Sequence, residues 1–163
     1  MAAPKYLRKG TAGNVAVTTA VVVATADSIP ATGPDGKLDI SFIPNVDVNT
    51  VLAFENLAIG DLVNFFLSGG VTKARKADAT TPGKEADGYV LAAVTAGNPA
   101  TVYSEGTNSG VSGLTVGSPV FMSATAGLST TTEPTAAGQV SQRIGVAITA
   151  TSYNFDRGLP FEL

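Results

Sequence analysis

Acid–base chemistry in this chain can draw only on carboxylates, because its 163 residues include neither histidine nor cysteine. Asp78, Glu85 and Asp87 fall within ten residues of one another, the one stretch where paired carboxylates or oxygen ligands for calcium could assemble. Lys73, Arg75, Lys76 and Lys84 lie beside them, so the charges balance and the stretch reads as a solvated surface loop. Asp35-Gly36-Lys37-Leu38-Asp39 carries two acids in a turn but lacks the alternating ligands and bidentate Glu of a calcium loop. Serine and threonine are plentiful, yet no Gly-x-Ser-x-Gly elbow occurs and no imidazole is present to activate a hydroxyl. A Ser-Lys dyad using Lys73 or Lys84 has no spacing to support it. Ser68-Gly69-Gly70 and Gly110-Val111-Ser112-Gly113 lack the Lys-Ser/Thr ending of a phosphate-binding loop and read as turns. The expectation is a protein without catalytic residues, cofactor or metal.

The surface expected around these groups is bland. Charged residues make up 14% of the chain, well below the roughly 25% of an ordinary soluble domain, and the net charge is −3. The ten basic residues are scattered, which argues against nucleic acid as a partner, since phosphate binding needs clustered cations. Near the start, Lys5, Arg8 and Lys9 precede the apolar stretch Val15 to Ala24, and Ala24-Thr25-Ala26 imitates a secretory cleavage site. That stretch is rich in valine, interrupted by threonine and free of leucine. It suits a β-strand better than a signal helix and is short for a membrane span, so no membrane partner is expected.

What must position the side chains is almost all β. Residues 1–49 read as an extended N-terminal arm containing a strand candidate from Val15 to Val23 and ending in a proline-rich run, Ile29 to Pro44, with Asp35-Gly36 as a turn signal. Residues 50–163 read as one β domain. Leu62 to Leu67 and Val71 to Lys76 form a hairpin around Ser68-Gly69-Gly70, and Tyr89 to Thr95 with Ala100 to Ser104 form a second around Gly97-Asn98. Val120 to Ser123, Gly127 to Thr130, Val140 to Thr151 and Tyr153 to Phe155 continue the scheme. The best helix candidate, Val51 to Leu57, offers two turns at most. Tyr89, Tyr103 and Tyr153 fall in strand candidates and read as core or interface residues.

The strand pattern is written twice. Leu57-Ala58-Ile59-Gly60-Asp61-Leu62-Val63 aligns with Leu114-Thr115-Val116-Gly117-Ser118-Pro119-Val120 at an offset of 57 residues, and Gly70 meets Gly127 and Gly88 meets Gly145 at the same offset. Later the offset falls to 52, where Gly106 meets Gly158. The expected fold is therefore all-β: a barrel or jelly-roll-like sandwich of two similar half-units, about residues 55–108 and 112–158. Leu62, Phe65, Val90, Ala92 and Val94 of the first half are expected to face inward, with Val120, Met122, Val146, Ile148 and Phe155 of the second.

The stretches Glu55 to Asn64, Arg75 to Thr80, Gly88 to Ala92, Gly117 to Ser123 and Gln142 to Ala147 resemble virion proteins of tailed bacteriophages. They are most similar to the small decoration, or cement, proteins of phage heads, and also to modules of phage fibres. The leader Ile29-Pro30-Ala31 with the run Asp35 to Pro44 is similar to connectors that precede such domains. The resemblance covers about residues 28–155 and implies a non-enzymatic, β-rich homotrimer on the outer surface of the capsid. Its partner would be the major capsid protein, whose neighbouring subunits it would brace. On that reading Tyr6, Leu7, Phe42 and Ile43 are candidate anchors, with Lys5, Arg8 and Lys9 meeting acidic capsid surface; the competing reading is an arm ordered only by self-association. The Leu159 to Leu163 segment is a further candidate contact. A fibre or tail module binding a host receptor is the alternative, though Ala77 to Asp87 and Thr131 to Gln139 hold no aromatic residue to read a glycan or protein. A carbohydrate-active enzyme would need two carboxylates roughly 5–10 Å apart in a cleft.

Overall fold

The computed structural model describes residues 6–10, 13–17 and 48–163, all of them strand, turn or irregular, with no helix. The chain divides into two units, Met1–Val46 and Asp47–Leu163. In the first, Tyr6–Gly10 (β1) pairs antiparallel with Gly13–Val17 (β2), so the region expected to run as an extended arm opens with a hairpin.

The second unit begins with Val48–Ala53 (β3), where a short helix was the best helical candidate. Its burial alternates at the end of the strand: Val51 and Ala53 turn inward while Leu52 stays exposed. A period of two commits this stretch to a strand. Leu62–Ser68 (β4) and Val71–Lys76 (β5) form the expected hairpin, with Gly69 and Gly70 at φ of 62° and 78°. Both values suit a tight turn that L-residues resist. Gly88–Val90 (β6) and Pro99–Tyr103 (β7) complete a closed barrel in the order β3-β5-β4-β6-β7. β6 is shorter than the expected Tyr89 to Thr95 strand. It ends at Val90, and the chain rejoins the ladder only through an isolated bridge between Val94 and Leu57.

Gly106–Asn108 (β8), Pro119–Met122 (β9), Ser129–Thr130 (β10), Arg143–Thr149 (β12) and Ser152–Phe155 (β13) form a second sheet in the order β10-β9-β12-β13-β8. Val140–Ser141 (β11) pairs separately with Phe161–Glu162 (β14). Shifted by one repeat, the run β5-β4-β6-β7 becomes β10-β9-β12-β13, and β8 lies against β13 as β3 lies against β7. The backbone bonds repeat as well. Gly60 N–H donates to Val90 O at 2.8 Å and Gly117 N–H to Ala147 O at 2.9 Å, while Val90 and Ala147 donate back to Asp61 and Ser118 at 3.0 Å each. Both glycines sit in the left-handed region, at φ of 85° and 80°. The halves differ where the ring closes. β3 reaches β5 in parallel pairing, whereas the shorter β8 pairs only with β13 and leaves the second sheet open.

One core cluster fills the first barrel with Ala53, Leu57, Val63, Ala74, Val90, Ala100 and Val102. The other joins the halves, bringing Leu62, Ala86 and Tyr89 of the first against Leu114, Val120, Met122, Ile144, Tyr153 and Phe155 of the second. Of the residues expected inside, Leu62, Val90, Val120, Met122 and Phe155 are buried. Phe65, Val94 and Val146 are only partly buried, and Ala92 and Ile148 are exposed. The shift in β12 has a physical cause. Its register slips between Arg143 and Gly145 against β9, and again between Ala147 and Thr149 against β13. The first irregularity exchanges the two faces of the strand, so Ile144 points inward before it and Ala147 after it, and Val146 and Ile148 lose the inward positions that unbroken alternation would give them.

Candidate functional site

The carboxylates that could have formed a catalytic or calcium site are each already bonded within the fold. Asp78 Oδ1 accepts from the Thr80 N–H at 2.8 Å and the Thr80 hydroxyl at 2.7 Å, and its Oδ2 lies 3.7 Å from Lys84 Nζ. Burial works to raise the Asp78 pKa, but the two Thr80 bonds and the Lys84 charge outweigh it and hold the carboxyl below its ordinary value. Glu85 caps the Gly83 N–H at 2.9 Å. Asp87 receives the Phe65 N–H at 2.8 Å and the Asn64 amide at 3.2 Å, and pairs with Arg157 at 2.9 Å. Among the described residues no group of three or more acids gathers in metal-binding geometry.

Nor is the loop that carries them a plain surface loop. Ala77, Ala79 and Ala86 are fully buried. Leu62 N–H donates to Gly127 O and Gly127 N–H to Ala77 O; Ala79 N–H donates to Ser123 O and Val140 N–H to Ala79 O, at 2.7 to 3.1 Å. The loop is the backbone seam between the two halves. Buried side chains reinforce it. Gln142 accepts from Ala86 N–H at 2.7 Å and donates to Ala86 O at 3.1 Å. Asn108 donates to Gly60 O at 2.9 Å and to the Tyr153 hydroxyl at 3.2 Å. Buried Asp61 works within the first half instead, accepting from Ala58 N–H at 2.8 Å and meeting Lys76 Nζ at 3.2 Å. No buried side-chain polar atom among the described residues lacks a partner.

Tyr89 and Tyr153 are buried as expected, and Tyr103 is half-buried against Tyr89 with ring centroids 5.6 Å apart. Burial raises the pKa of both the Tyr89 and the Tyr153 hydroxyl. None of the three presents a free stacking platform.

The feature that does face outward lies on the barrel wall formed by β3, β5 and β4. Leu52 stands opposite Lys73, Lys73 opposite Phe66, and Arg75 opposite Asn64, so these side chains share the outer face. Phe54 is 51% exposed and meets Phe66 edge to face at 5.0 Å. Lys73 Nζ lies 5.9 Å from the Phe54 ring centroid and Arg75 Cζ 4.5 Å from that of Phe66. Arg75 also donates to Asn64 Oδ1 at 2.9 Å and Gly83 O at 2.6 Å, which fixes the guanidinium over the ring. Neither Lys73 nor Arg75 has a carboxylate within ion-pair distance among the described residues. The sequence signal for this face is Phe66, Lys73 and Arg75, which the β4–β5 hairpin register brings to one side; Phe54 joins them through the closed barrel.

Among the anchor candidates, Tyr6, Leu7, Arg8 and Lys9 fall on β1, in register with Val17, Ala16, Val15 and Asn14. Lys5, Phe42 and Ile43 lie outside the described residues, as does the Asp35 to Asp39 turn. No helix of the described residues is long and apolar enough to cross a membrane. No family model, curated protein or solved structure matches the chain.

Proposed function

We propose that this chain is a non-enzymatic structural protein of a tailed-phage virion that binds the outer surface of the assembled head and stabilises contacts between major capsid subunits. The observation that carries the reading is where the polar groups go. Asp87, Asn108 and Gln142, polar side chains that could serve a ligand, are used instead to fasten two copies of one strand unit to each other, while Asp61 is spent on Ala58 and Lys76 within the first copy. A subunit held together this way transmits force and offers surfaces. Large apolar side chains remain exposed at Phe54, Leu67, Leu159 and Phe161, the kind of area that assembly covers. The resemblance to phage decoration proteins supplies the partner and the homotrimeric state. Nucleic acid and membrane have no part in the function, and no cofactor is required. Many weak contacts engaged at once would supply the avidity.

The test is co-sedimentation of the full chain with expanded, empty phage heads. Saturable binding at a fixed ratio to capsid subunits is the expected result. A folded protein that leaves every head unbound overturns the reading and moves the search to host-cell surfaces, where a fibre or tail module would act.

A further inference from the structure

We propose that the cation-capped aromatic face of the barrel docks a second copy of this chain, head to tail, through the ridge that β11 and β14 form at the far end of the sequence. The two surfaces differ in composition and complement each other. On the first, Leu52 and Phe54 are exposed, and Lys73 lies over the Phe54 ring with no carboxylate among the described residues to pair with. On the second, Phe161 is 55% exposed on β14, flanked by exposed Leu159 and Leu163. Ser141 stands opposite Phe161 in the ladder, and its hydroxyl donates to Glu133 Oε1 at 2.6 Å. The Glu133 carboxylate is thereby held on the same side of the ladder as the Phe161 ring. Glu162, next along β14 and opposite Val140, turns to the other face of the ladder, and Glu133 has no cation within ion-pair distance among the described residues.

One face thus presents an aromatic ring with an unpaired cation, and the other an aromatic ring with an unpaired anion. Of the chain's 10 basic and 13 acidic residues, six and nine lie in residues 48–163, so the cationic face stands out against a negative domain. Like faces would repel in a twofold pairing, Lys73 against Lys73 or Glu133 against Glu133, whereas unlike faces attract. A contact between two different patches leaves one of each free on every pair, and repetition of the same step closes a ring or propagates a filament. The inference does not depend on head binding, because copies associate in solution without heads.

Its test is the mass of the full chain in solution by light scattering, across protein concentration and salt. The wild type is expected to be an oligomer that weakens as salt screens the charges. Lys73→Glu should weaken association about tenfold or more, and so should Glu133→Lys, while the double reversal should restore it. Because Glu133→Lys also removes the Ser141 bond, Glu133→Gln provides a second acidic-side variant: its amide oxygen can still accept from Ser141 while the charge is lost, and it should weaken association in the same direction. Lys84→Glu, which alters an ion pair on the loop, should leave the mass unchanged. A wild type that stays monomeric, or an oligomer indifferent to the reversals on both faces, overturns the proposal. So does a double reversal no better than the singles. Head binding that survives dissociation would leave the structural reading intact, and an oligomer that ignores heads would leave this one intact.

Discussion

Gln142 lays its side-chain amide along the backbone of Ala86, accepting from its N–H at 2.7 Å and donating to its carbonyl at 3.1 Å. The pair closes like one rung of a β-ladder, with a fully buried side chain standing in for a strand. It ties the loop of the first half to the core of the second. Replacing Gln142 with Leu keeps the volume but strands the Ala86 N–H and carbonyl inside the core. The expected loss is about 2–3 kcal/mol. Denaturant unfolding of the two proteins checks it, and a loss indistinguishable from zero would mean that the seam relaxes around the change.

The repeat places glycine at Gly88 and Gly145 for a shared reason. A Cβ at Gly88 would come within 2.6 Å of the Tyr103 carbonyl oxygen, and one at Gly145 within 1.9 Å of the Asn154 carbonyl oxygen. At Gly145 the backbone is also at φ 147°. Gly145→Ala therefore has to push two strands apart and should cost ~3 kcal/mol or more. Gly138→Ala, also at positive φ but facing open space, should cost only about 1 kcal/mol. Comparable thermal midpoints for the two variants would show that the ladder gives way easily.

Acid should destabilise the fold partly through Asp78. Its pKa lies below the ordinary value of 3.8 in the folded state, so the unfolded chain takes up the proton first as pH falls. The stabilisation is fully present above about 3.8 and is lost as pH drops through the lower folded value. Asp78→Asn should be less stable than wild type at neutral pH, with the gap narrowing below that point. A gap that does not change with pH would rule out the Thr80 and Lys84 contacts as its source.

Base should act through the tyrosines, with the opposite sign. Tyr89 and Tyr153 have folded pKa values raised above 10.0, chiefly by burial, so their neutral forms stabilise the fold up to that pH and the benefit is lost as pH climbs above it. Of the chain's four tyrosines, these two should ionise late and together with unfolding. Tyrosinate absorbance followed alongside circular dichroism checks this. Four tyrosines ionising together while the circular dichroism stays native would contradict the burial.

Much of the architecture was legible because it is local. Ser68-Gly69-Gly70 announced the β4–β5 hairpin, and the 57-residue spacing of Gly60 and Gly117 announced a turn that the structure repeats bond for bond. What eluded the sequence is non-local. Ile148 reads as inward by alternation, but the register slip between Arg143 and Gly145 in β12 puts it at 49% exposure. Ala77 to Asp87 reads as solvated because it is polar, yet its three alanines are buried by partners 40 or more residues away, as with Ala79 and Ser123. Polar Asn108 and Gln142 gave no sign of burial, since what buries them is a bond across the seam. The outward aromatic face was half legible: its residues alternate correctly, but Phe54 lies beyond the end of β3 and meets Phe66 only once the barrel closes.

Bracing is tested most directly by heating expanded, empty phage heads with and without saturating amounts of the full chain and following their rupture. Decorated heads should rupture at a higher temperature, with the gain levelling off as sites fill. Heads that bind the chain yet rupture at the same temperature as bare heads, or that never bind it, would contradict a structural role on the capsid.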